Sequence, residues 1–223
     1  MNPVNELSKR FLALSTPEVS DALEIFGVVS GLLGIRPVSS RRKLFGPAFT
    51  VAKEVNDRPE IRQAADFVDD IPPGHVVVID NLGLETSTCW GGILTLYAQK
   101  KGLAGTFIHG LHRDADLIRT VDYPVFSRGS FMVTGKGRTR LKAIDVPLDI
   151  GGVRITPGDY ILADENGGVV IPPVLTEQVL ERAEAIHAVE EEICNLALEQ
   201  GVPLVEARKR LGYHDLTRPL ALG

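Results

Sequence analysis

The sequence has few cysteines and no long apolar run. Only two of its 223 residues are cysteines, Cys89 and Cys194, and they belong to no CxxC pair. Neither a disulfide framework nor a cysteine-based zinc cluster is therefore indicated, and a reducing compartment fits best. No stretch approaches the ~20 apolar residues that a membrane span needs. Residues 1–14 carry charges inside their apolar run and no cleavage-site pattern, so we expect a soluble, cytoplasmic protein with no membrane partner.

Basic residues are also in deficit. The chain has 24 Lys and Arg against 29 Asp and Glu, a formal net charge of −5. A protein that binds a phosphate backbone normally shows a basic patch, so we expect no nucleic-acid partner. The small basic cluster of Arg138, Arg140 and Lys142 has no interleaved aromatic residue and is interpreted as solvated surface. With 44% hydrophobic residues, the chain is long enough to bury one substantial core.

Alternating strand and helix patterns predict an α/β protein. Residues 75–80 are a β-branched run that ends in an acid, which indicates a buried strand. Residues 90–101 predict a helix with a glycine just past its end, and residues 105–109 return to a strand. Polar groups at the ends of these two strands are expected to meet at one edge of the sheet.

The remaining patterns place this unit within a single domain. No repeat or linker marks a second domain, so residues 174–223 are treated as a C-terminal helical extension of the same domain as residues 1–173. The other predicted elements are two opening helices with a cap at Ser15, a strand at 45–52, a helix at 61–68, a helix at 115–120, a strand at 125–127, an all-β section to 173, a long helix at 176–200 and a shorter one at 202–211.

Three polar segments are candidates for one cleft: residues 80–83 after the first strand, the helix start at 91–94, and the pair Arg113 and Asp114 after the second strand. Backbone N–H groups at a helix start can hold a carboxylate, and Arg113 can add a bidentate contact. Asp114 can hold Mg²⁺ or Mn²⁺ through its oxygens. On spacing alone, a solvated helix cap explains Arg113 and Asp114 better than a site does, and a tight turn explains the two glycines.

Other reactive side chains also have two interpretations. His109 and His112 can be ligands or proton carriers, or hydrogen-bonded structural residues. Cys89 precedes a helix start, where a thiol pKa can fall, but no base is evident and burial explains it better. The acidic run at 190–192 suits a solvated helix face or a contact with a neighbouring subunit's cleft.

An ordered set of motifs resembles a known family over residues 12–172. The set resembles the class II 4-hydroxy-4-methyl-2-oxoglutarate aldolases, a family that also contains the regulator of ribonuclease activity A and proteins mislabelled as dimethylmenaquinone methyltransferases. The motifs that carry the resemblance are residues 15–23, 45–51, 105–114, 123–129, 150–153, 157–159 and 163–164.

The resemblance implies a fold, an assembly and a site. The implied fold is a compact β/β/α fold of the swivelling, phosphohistidine-domain-like type over residues 1–173, with residues 174–223 packing at a subunit interface. The implied assembly is a homotrimer or homohexamer with active sites between subunits. Arg113 matches the substrate-binding arginine and Asp114 the metal-binding aspartate. The implied substrate carboxylate site is the backbone of Gly92, Ile93 and Leu94. Glu190 or Glu191 is the nearest match to a glutamate that reaches the adjoining subunit's site.

Two departures from the family pattern stand out. Gly92 occupies a position where the aldolases usually carry an acidic residue. His109 and His112 stand where the family more often has an aspartate or tyrosine and a small apolar residue. We therefore expect either that His112 substitutes as the acid/base or that the substrate differs.

The resulting hypothesis is a lyase that uses Mg²⁺ or Mn²⁺ to cleave a C–C bond of a 2-oxo acid through a pyruvate enolate. Retro-aldol cleavage of 4-hydroxy-4-methyl-2-oxoglutarate and decarboxylation of oxaloacetate share that enolate. Proton transfer is expected from water on the metal, assisted by His112 or a subunit-bridging glutamate. The alternative is a non-catalytic regulator that binds a ribonuclease; the helical extension after residue 176 favours the aldolases. No glycine-rich nucleotide loop supports a methyltransferase.

Overall fold

The computed structural model describes residues 3–39, 42–58, 60, 65–216 and 218. Its α-helices are α1 Pro3–Ala13, α2 Thr16–Ile25, α3 Gly92–Lys101, α4 Ala115–Thr120, α5 Thr176–Cys194, α6 Leu204–Arg210 and α7 Tyr213–Leu216. Its strands are β1 Gly31–Leu32, β2 Arg36–Pro37, β3 Leu44–Val55, β4 Val76–Asp80, β5 Thr88–Trp90, β6 Gly105–His109, β7 Leu111–His112, β8 Val125–Ser127, β9 Gly129–Ser130, β10 Thr139–Ile144, β11 Leu148–Ile150, β12 Val153–Ile155, β13 Tyr160–Asp164 and β14 Gly167–Ile171. Short 3-10 helices span Asp66–Asp70 and Pro173–Leu175, and a π-helix spans Asn195–Glu199.

A mixed sheet forms the centre of the molecule. Its strand order is β1-β14-β13-β3-β4-β6-β8-β2, with β10 added beside β3. The neighbours β3, β4, β6 and β8 are parallel, whereas β13, β14 and β10 run antiparallel to their partners. The predicted strand–helix–strand unit at 75–109 is therefore confirmed, with β4 and β6 as parallel neighbours and α3 between them in sequence.

Both faces of this sheet are covered, which explains the unbroken β-branched run of β4. Val76 and Val78 pack into one apolar cluster and Val77 and Ile79 into another, because successive side chains of a strand point to opposite faces. The second cluster includes Trp90 of β5, which lies under the start of α3. The sheet therefore fixes the positions from which the loops after its parallel strands start.

The opening helices and α5 cover the antiparallel part of the sheet. Helix α2 begins with a capping box, in which Glu18 N–H donates to Ser15 Oγ and Ser15 N–H donates to Glu18 Oε2. Helix α5 packs on α2 and buries Val179, Ala183 and Ile186 in the same cluster as Phe11. No helix in the described ranges is long and apolar enough to cross a membrane.

Some element boundaries differ from those predicted. The helix expected from residue 90 begins at Gly92, because Trp90 pairs with His112 in a small parallel sheet formed by β5, β7 and β9. The helix expected at 61–68 lies partly outside the described residues, and its visible end is the 3-10 helix at Asp66–Asp70. The helix expected to reach residue 200 changes to a π-helix after Cys194.

Candidate active site

The start of helix α3 presents backbone N–H donors beside Asp114. Gly91 precedes the helix in an extended conformation, and no side chain caps the helix from that position. The first helical N–H, that of Gly92, donates to Asp114 Oδ2 at 2.8 Å. The N–H groups of Ile93 and Leu94 belong to the same first turn, where N–H groups have no partner inside the helix. The helix start therefore carries a partial positive charge that suits an anion.

A buried hydrogen-bond chain fixes this helix start. Trp90 Nε1 donates to Thr95 Oγ1 at 2.9 Å, and Thr95 Oγ1 donates to the Gly91 carbonyl at 3.0 Å. Both side chains are buried. The N–H of Arg113 also donates to the Trp90 carbonyl at 3.0 Å. Trp90 thus fixes the position of the start of α3 relative to the loop after β7.

Arg113 and Asp114 form the other wall of the same spot. Asp114 precedes α4 in the left-handed conformation, with φ 61°, and its side chain makes no cap on its own helix. Its Oδ2 atom accepts instead from the Gly92 N–H of α3 and lies 3.7 Å from Nε of the preceding residue, Arg113. The side chains of Arg113 and Asp114 are 40% and 45% exposed. Both are therefore open to a ligand from solvent.

Neighbouring side chains lie close to the two glycines at the helix start. A Cβ on Gly91 would lie 2.8 Å from Asp114 Oδ2 and 3.1 Å from Arg113 Cγ. A Cβ on Gly92 would lie 2.4 Å from Cδ2 of Leu117 on α4. Leu117 therefore occupies the space that a side chain at position 92 would need.

These residues line a pocket of about 170 Å³. Among the described residues, three cationic side chains and one anionic side chain line it. The lining comprises Lys53, Ala65, Thr88, Cys89, Trp90, Gly91, Gly92, Ile93, Leu94, Arg113, Asp114, Thr134, Gly135, Lys136 and Thr139. The pocket thus combines the predicted Gly92, Ile93, Leu94, Arg113 and Asp114 in one place.

His112 lies outside that lining. Its ring is buried and its Nδ1 lies 2.7 Å from Ser127 Oγ. Burial lowers the pKa of His112, which favours the neutral ring. The Nε2 atom has no hydrogen-bond partner among the residues that the structure describes. Within one chain, His112 is a packed side chain behind the site.

Glu190 and Glu191 also lie away from the pocket of their own chain. Both are on α5, which packs against α2. Glu190 Oε1 accepts a hydrogen bond from the Tyr213 hydroxyl at 3.1 Å, and Glu191 Oε1 lies 3.5 Å from His187 Nε2. One chain alone therefore does not bring these glutamates to Asp114.

The other side chains considered from the sequence have local partners. Burial raises the pKa of the Cys89 thiol to about 12, so it is a poor nucleophile although it lines the pocket. His109 Nδ1 lies 2.8 Å from Asp80 Oδ1, where β6 and β4 end side by side. Arg140 forms ion pairs with Glu54 and Asp57.

Sequence reasoning missed Lys53, Lys136 and Thr139. Lys53 lies on β3, and the other two lie in and after the loop that leads to β10, its antiparallel neighbour. A charged residue inside the apolar strand run was the one available signal for Lys53. No local spacing connects it to residues 134–139.

The donor set at Asp114 fits a magnesium-type ion. Within the described ranges, no group of three or more His, Cys, Asp and Glu side chains is arranged to hold a metal. Asp114 is thus a single carboxylate that is open to solvent. Mg²⁺ keeps several waters and needs only one or two protein carboxylates, and Mn²⁺ accepts the same oxygen ligands. A structural zinc site needs four protein ligands and does not fit.

Residues 16–170 match the RraA-like family, described as Aldolase/RraA. The chain belongs to this family. "Protein DlpA" of Legionella pneumophila is 38% identical over 94% of this chain, which spans only 34% of that relative's length. A Halalkalibacterium halodurans protein named "Putative 4-hydroxy-4-methyl-2-oxoglutarate aldolase" is 32% identical, with 89% of this chain and 91% of the relative aligned.

A solved structure from the family has the same fold. Streptomyces coelicolor RraAS2, described as an unusual member of the RNase ES inhibitor RraA protein family, superposes with a TM-score of 0.77 at 28% identity. The match covers 83% of this chain and 95% of RraAS2. The family and the α/β fold predicted from the sequence are thereby confirmed. The RraA-like family includes relatives named as aldolases and as ribonuclease inhibitors, so the activity is a separate question.

Proposed function

We propose that this RraA-like protein is a divalent-metal-dependent lyase that cleaves a C–C bond of a 2-oxo acid. The observation that carries the proposal is the convergence of the α3 start, Arg113 and Asp114 on one pocket. The reactions are retro-aldol cleavage of 4-hydroxy-4-methyl-2-oxoglutarate, decarboxylation of oxaloacetate, or both. Each leaves the enolate of pyruvate.

The substrate's head group is held by the start of α3 and by Arg113. The N–H groups of Ile93 and Leu94 donate to the carboxylate, and Gly91 and Gly92 let it approach the backbone. The Arg113 guanidinium donates to the 2-oxo oxygen. Negative charge develops on that oxygen as the C–C bond breaks, so a donor fixed beforehand lowers the barrier.

Asp114 is the proposed ligand of Mg²⁺ or Mn²⁺. Such an ion supplies Lewis-acid polarisation of the 2-oxo group when it is bound. The Gly92 N–H fixes one oxygen of Asp114. The other oxygen, Oδ1, accepts no hydrogen bond from the residues that the structure describes, and it is the donor that remains for the ion.

The retro-aldol reaction needs a base for the 4-hydroxyl proton. As that proton leaves, the C3–C4 bond breaks, its electron pair moves into the enolate, and a later proton at C3 gives pyruvate. Asp114 is the single carboxylate among the described residues that line the pocket. We therefore assign the proton transfers to Glu190 or Glu191 of a neighbouring subunit, in a homotrimer or homohexamer. His112, packed against Ser127, receives no proton-transfer role.

A second candidate function is inhibition of a ribonuclease by protein binding. The similarity to RraAS2 favours it. The aligned lengths do not separate the two functions, because relatives named as aldolases align over 70% to 89% of this chain and RraAS2 aligns over 83%.

A pyruvate-release assay tests the lyase. Purified protein receives oxaloacetate or 4-hydroxy-4-methyl-2-oxoglutarate with Mg²⁺ or Mn²⁺, and EDTA serves as the control. We expect pyruvate release that EDTA abolishes and added metal restores. No release from either substrate, together with inhibition of a ribonuclease, would overturn the lyase in favour of the second candidate.

A further inference from the structure

Two lysines of the pocket, Lys53 and Lys136, have no role in the proposed chemistry. Lys53 and Lys136 line the pocket together with Arg113, and Asp114 is the single acidic residue among the described residues of the lining. The protein as a whole carries a formal charge of −5. A positive pocket in an acidic protein indicates an anionic ligand.

Lys53 has no acidic partner among the residues whose side chains the structure describes. It is only partly exposed on β3, and no ion pair joins it to any of them. Burial lowers the pKa of Lys53, as expected for a cation that has lost water without gaining a counter-charge.

Thr139 adds a polar group without a partner to the same region. Its side chain is 4% exposed, and its hydroxyl has no hydrogen-bond partner among the described residues. A Cβ on Gly135 would lie 3.3 Å from that hydroxyl and 2.3 Å from the Thr88 carbonyl, so the loop fits here only with glycine. A buried hydroxyl without a partner is rare in folded proteins and marks a place where a ligand or water bonds.

We propose that Lys53, Lys136 and Thr139 form a second anion subsite, which binds the far carboxylate of a dicarboxylic 2-oxo acid. Lys53 is the residue that determines this specificity. The inference rests on the proposed function, in that the first carboxylate binds at the start of α3. It explains why a pocket with one metal-type carboxylate carries three cationic side chains.

A matched pair of unreactive acids tests the subsite by binding. 2-Oxoglutarate and 2-oxopentanoate have the same carbon chain and differ in the far carboxylate. Isothermal titration in Mg²⁺ buffer measures both. We expect the wild type to bind 2-oxoglutarate at least about tenfold more tightly, the effect expected for a hydrogen bond to a charged group. Lys53→Met should lower this ratio severalfold, leaving only the preference that Lys136 and Thr139 contribute. Lys142→Met, at an exposed lysine outside the pocket, should leave the ratio unchanged.

Thr139→Val gives a second, independent readout. The variant removes a hydroxyl that has no partner in the free protein, so its midpoint of thermal unfolding should not fall. Its affinity for 2-oxoglutarate should fall by about threefold, while that for 2-oxopentanoate stays constant. A purely structural hydroxyl would change the unfolding midpoint and leave the affinity ratio unchanged, which would exclude Thr139 from the subsite.

Other outcomes overturn the subsite. These are equal wild-type affinities for the two acids, no measurable binding of either, or an unchanged ratio in Lys53→Met. An equal loss for both acids in that variant would place Lys53 at the head group instead. Because binding needs no turnover, a clear preference for 2-oxoglutarate with no pyruvate release would refute the lyase and leave the subsite standing.

Discussion

The N–H of Gly92 donates to Asp114 Oδ2 at 2.8 Å, which ties the starts of two helices together. Asp114 precedes α4, yet its carboxylate serves the first turn of α3. One donor of α3 is thereby used within the chain. The next N–H groups, on Ile93 and Leu94, remain for a ligand, and the carboxylate is held at their side.

Steric coupling between positions 92 and 117 gives the first prediction. Gly92→Ala should yield little of the stability that alanine normally adds in a helix, because the new Cβ meets Leu117 and must displace that side chain. In a Leu117→Ala background the same change should be stabilising, since alanine is otherwise preferred over glycine in a helix. Urea unfolding of the four proteins measures the coupling. If the changes in the free energy of unfolding of the two single variants add up to that of the double variant within about 0.5 kcal/mol, the two positions do not compete for space.

Subunit mixing tests the proposed shared site. Asp114→Asn and the double variant Glu190→Gln/Glu191→Gln should each be inactive in pyruvate release. Mixed after mild dissociation, they should regain part of the activity, because some sites then combine an intact Asp114 with intact glutamates from a neighbour. Tyr213→Phe, which removes only the Glu190 contact within the chain, is the control and should remain active. A mixture as inactive as its parents would contradict the shared site.

The sequence predicts best those polar residues that directly follow a strand. Arg113 and Asp114 follow β7 and line the pocket as expected. Asp80 and His109 meet because β4 and β6 are parallel neighbours, but neither His109 nor any of residues 80–83, which the sequence also placed in the cleft, is among the residues that line it. The place of Lys53 was not predictable, since it depends on the loop before β10 folding over β3. His112 looked like an acid/base in the sequence, but its pairing with Trp90 in a small parallel sheet buries it.

The contact between His187 and Glu18 predicts a pH-dependent stability. His187 Nδ1 lies 2.7 Å from Glu18 Oε1, and this hydrogen bond raises the pKa of His187 above 6.5. Burial alone would raise the pKa of Glu18, but hydrogen bonds from Ser15 and His187 lower it below 4.5. The stabilisation that His187 contributes is complete below pH 6.5 and is lost as the pH rises through its raised pKa. The glutamate's contribution is lost as pH falls below 4.5.

Unfolding of His187→Gln measures this contribution. The wild type should exceed the variant in stability at pH 5.5 by less than about 1 kcal/mol, because the partly exposed pair is screened by solvent. The excess should shrink by pH 8.5. His214→Gln, at an exposed histidine, should show no such trend. An excess that is equal at both pH values would contradict the assignment.

We expect a larger pH-dependent contribution to stability from the buried residue Asp164. Its carboxylate accepts hydrogen bonds from Thr16 N–H at 2.8 Å, from the Thr16 hydroxyl at 2.7 Å and from Asn166 N–H at 2.8 Å. Burial would raise the pKa of Asp164, but these bonds lower it below 3.8. Its stabilisation is therefore present above pH 3.8 and lost as pH falls through the lowered pKa.

Asp164→Asn tests this network. The amide NH₂ would face donors, so we expect a loss of roughly 2 kcal/mol at pH 7. The difference from the wild type should narrow as pH falls below 3.8. Guanidinium unfolding at both pH values measures it. A variant as stable as the wild type at neutral pH would show that the bonds contribute nothing net.

The most direct test of the central claim compares wild type with Asp114→Asn across a Mg²⁺ titration of pyruvate release. Asparagine keeps an acceptor for the Gly92 N–H and tolerates the left-handed backbone at position 114, so the fold should be retained. The account predicts activity that rises with Mg²⁺ in the wild type, and a loss of at least about 100-fold in the variant, comparable to loss of a catalytic metal ligand or its support. Unchanged, Mg²⁺-dependent turnover in a folded Asp114→Asn protein would contradict it.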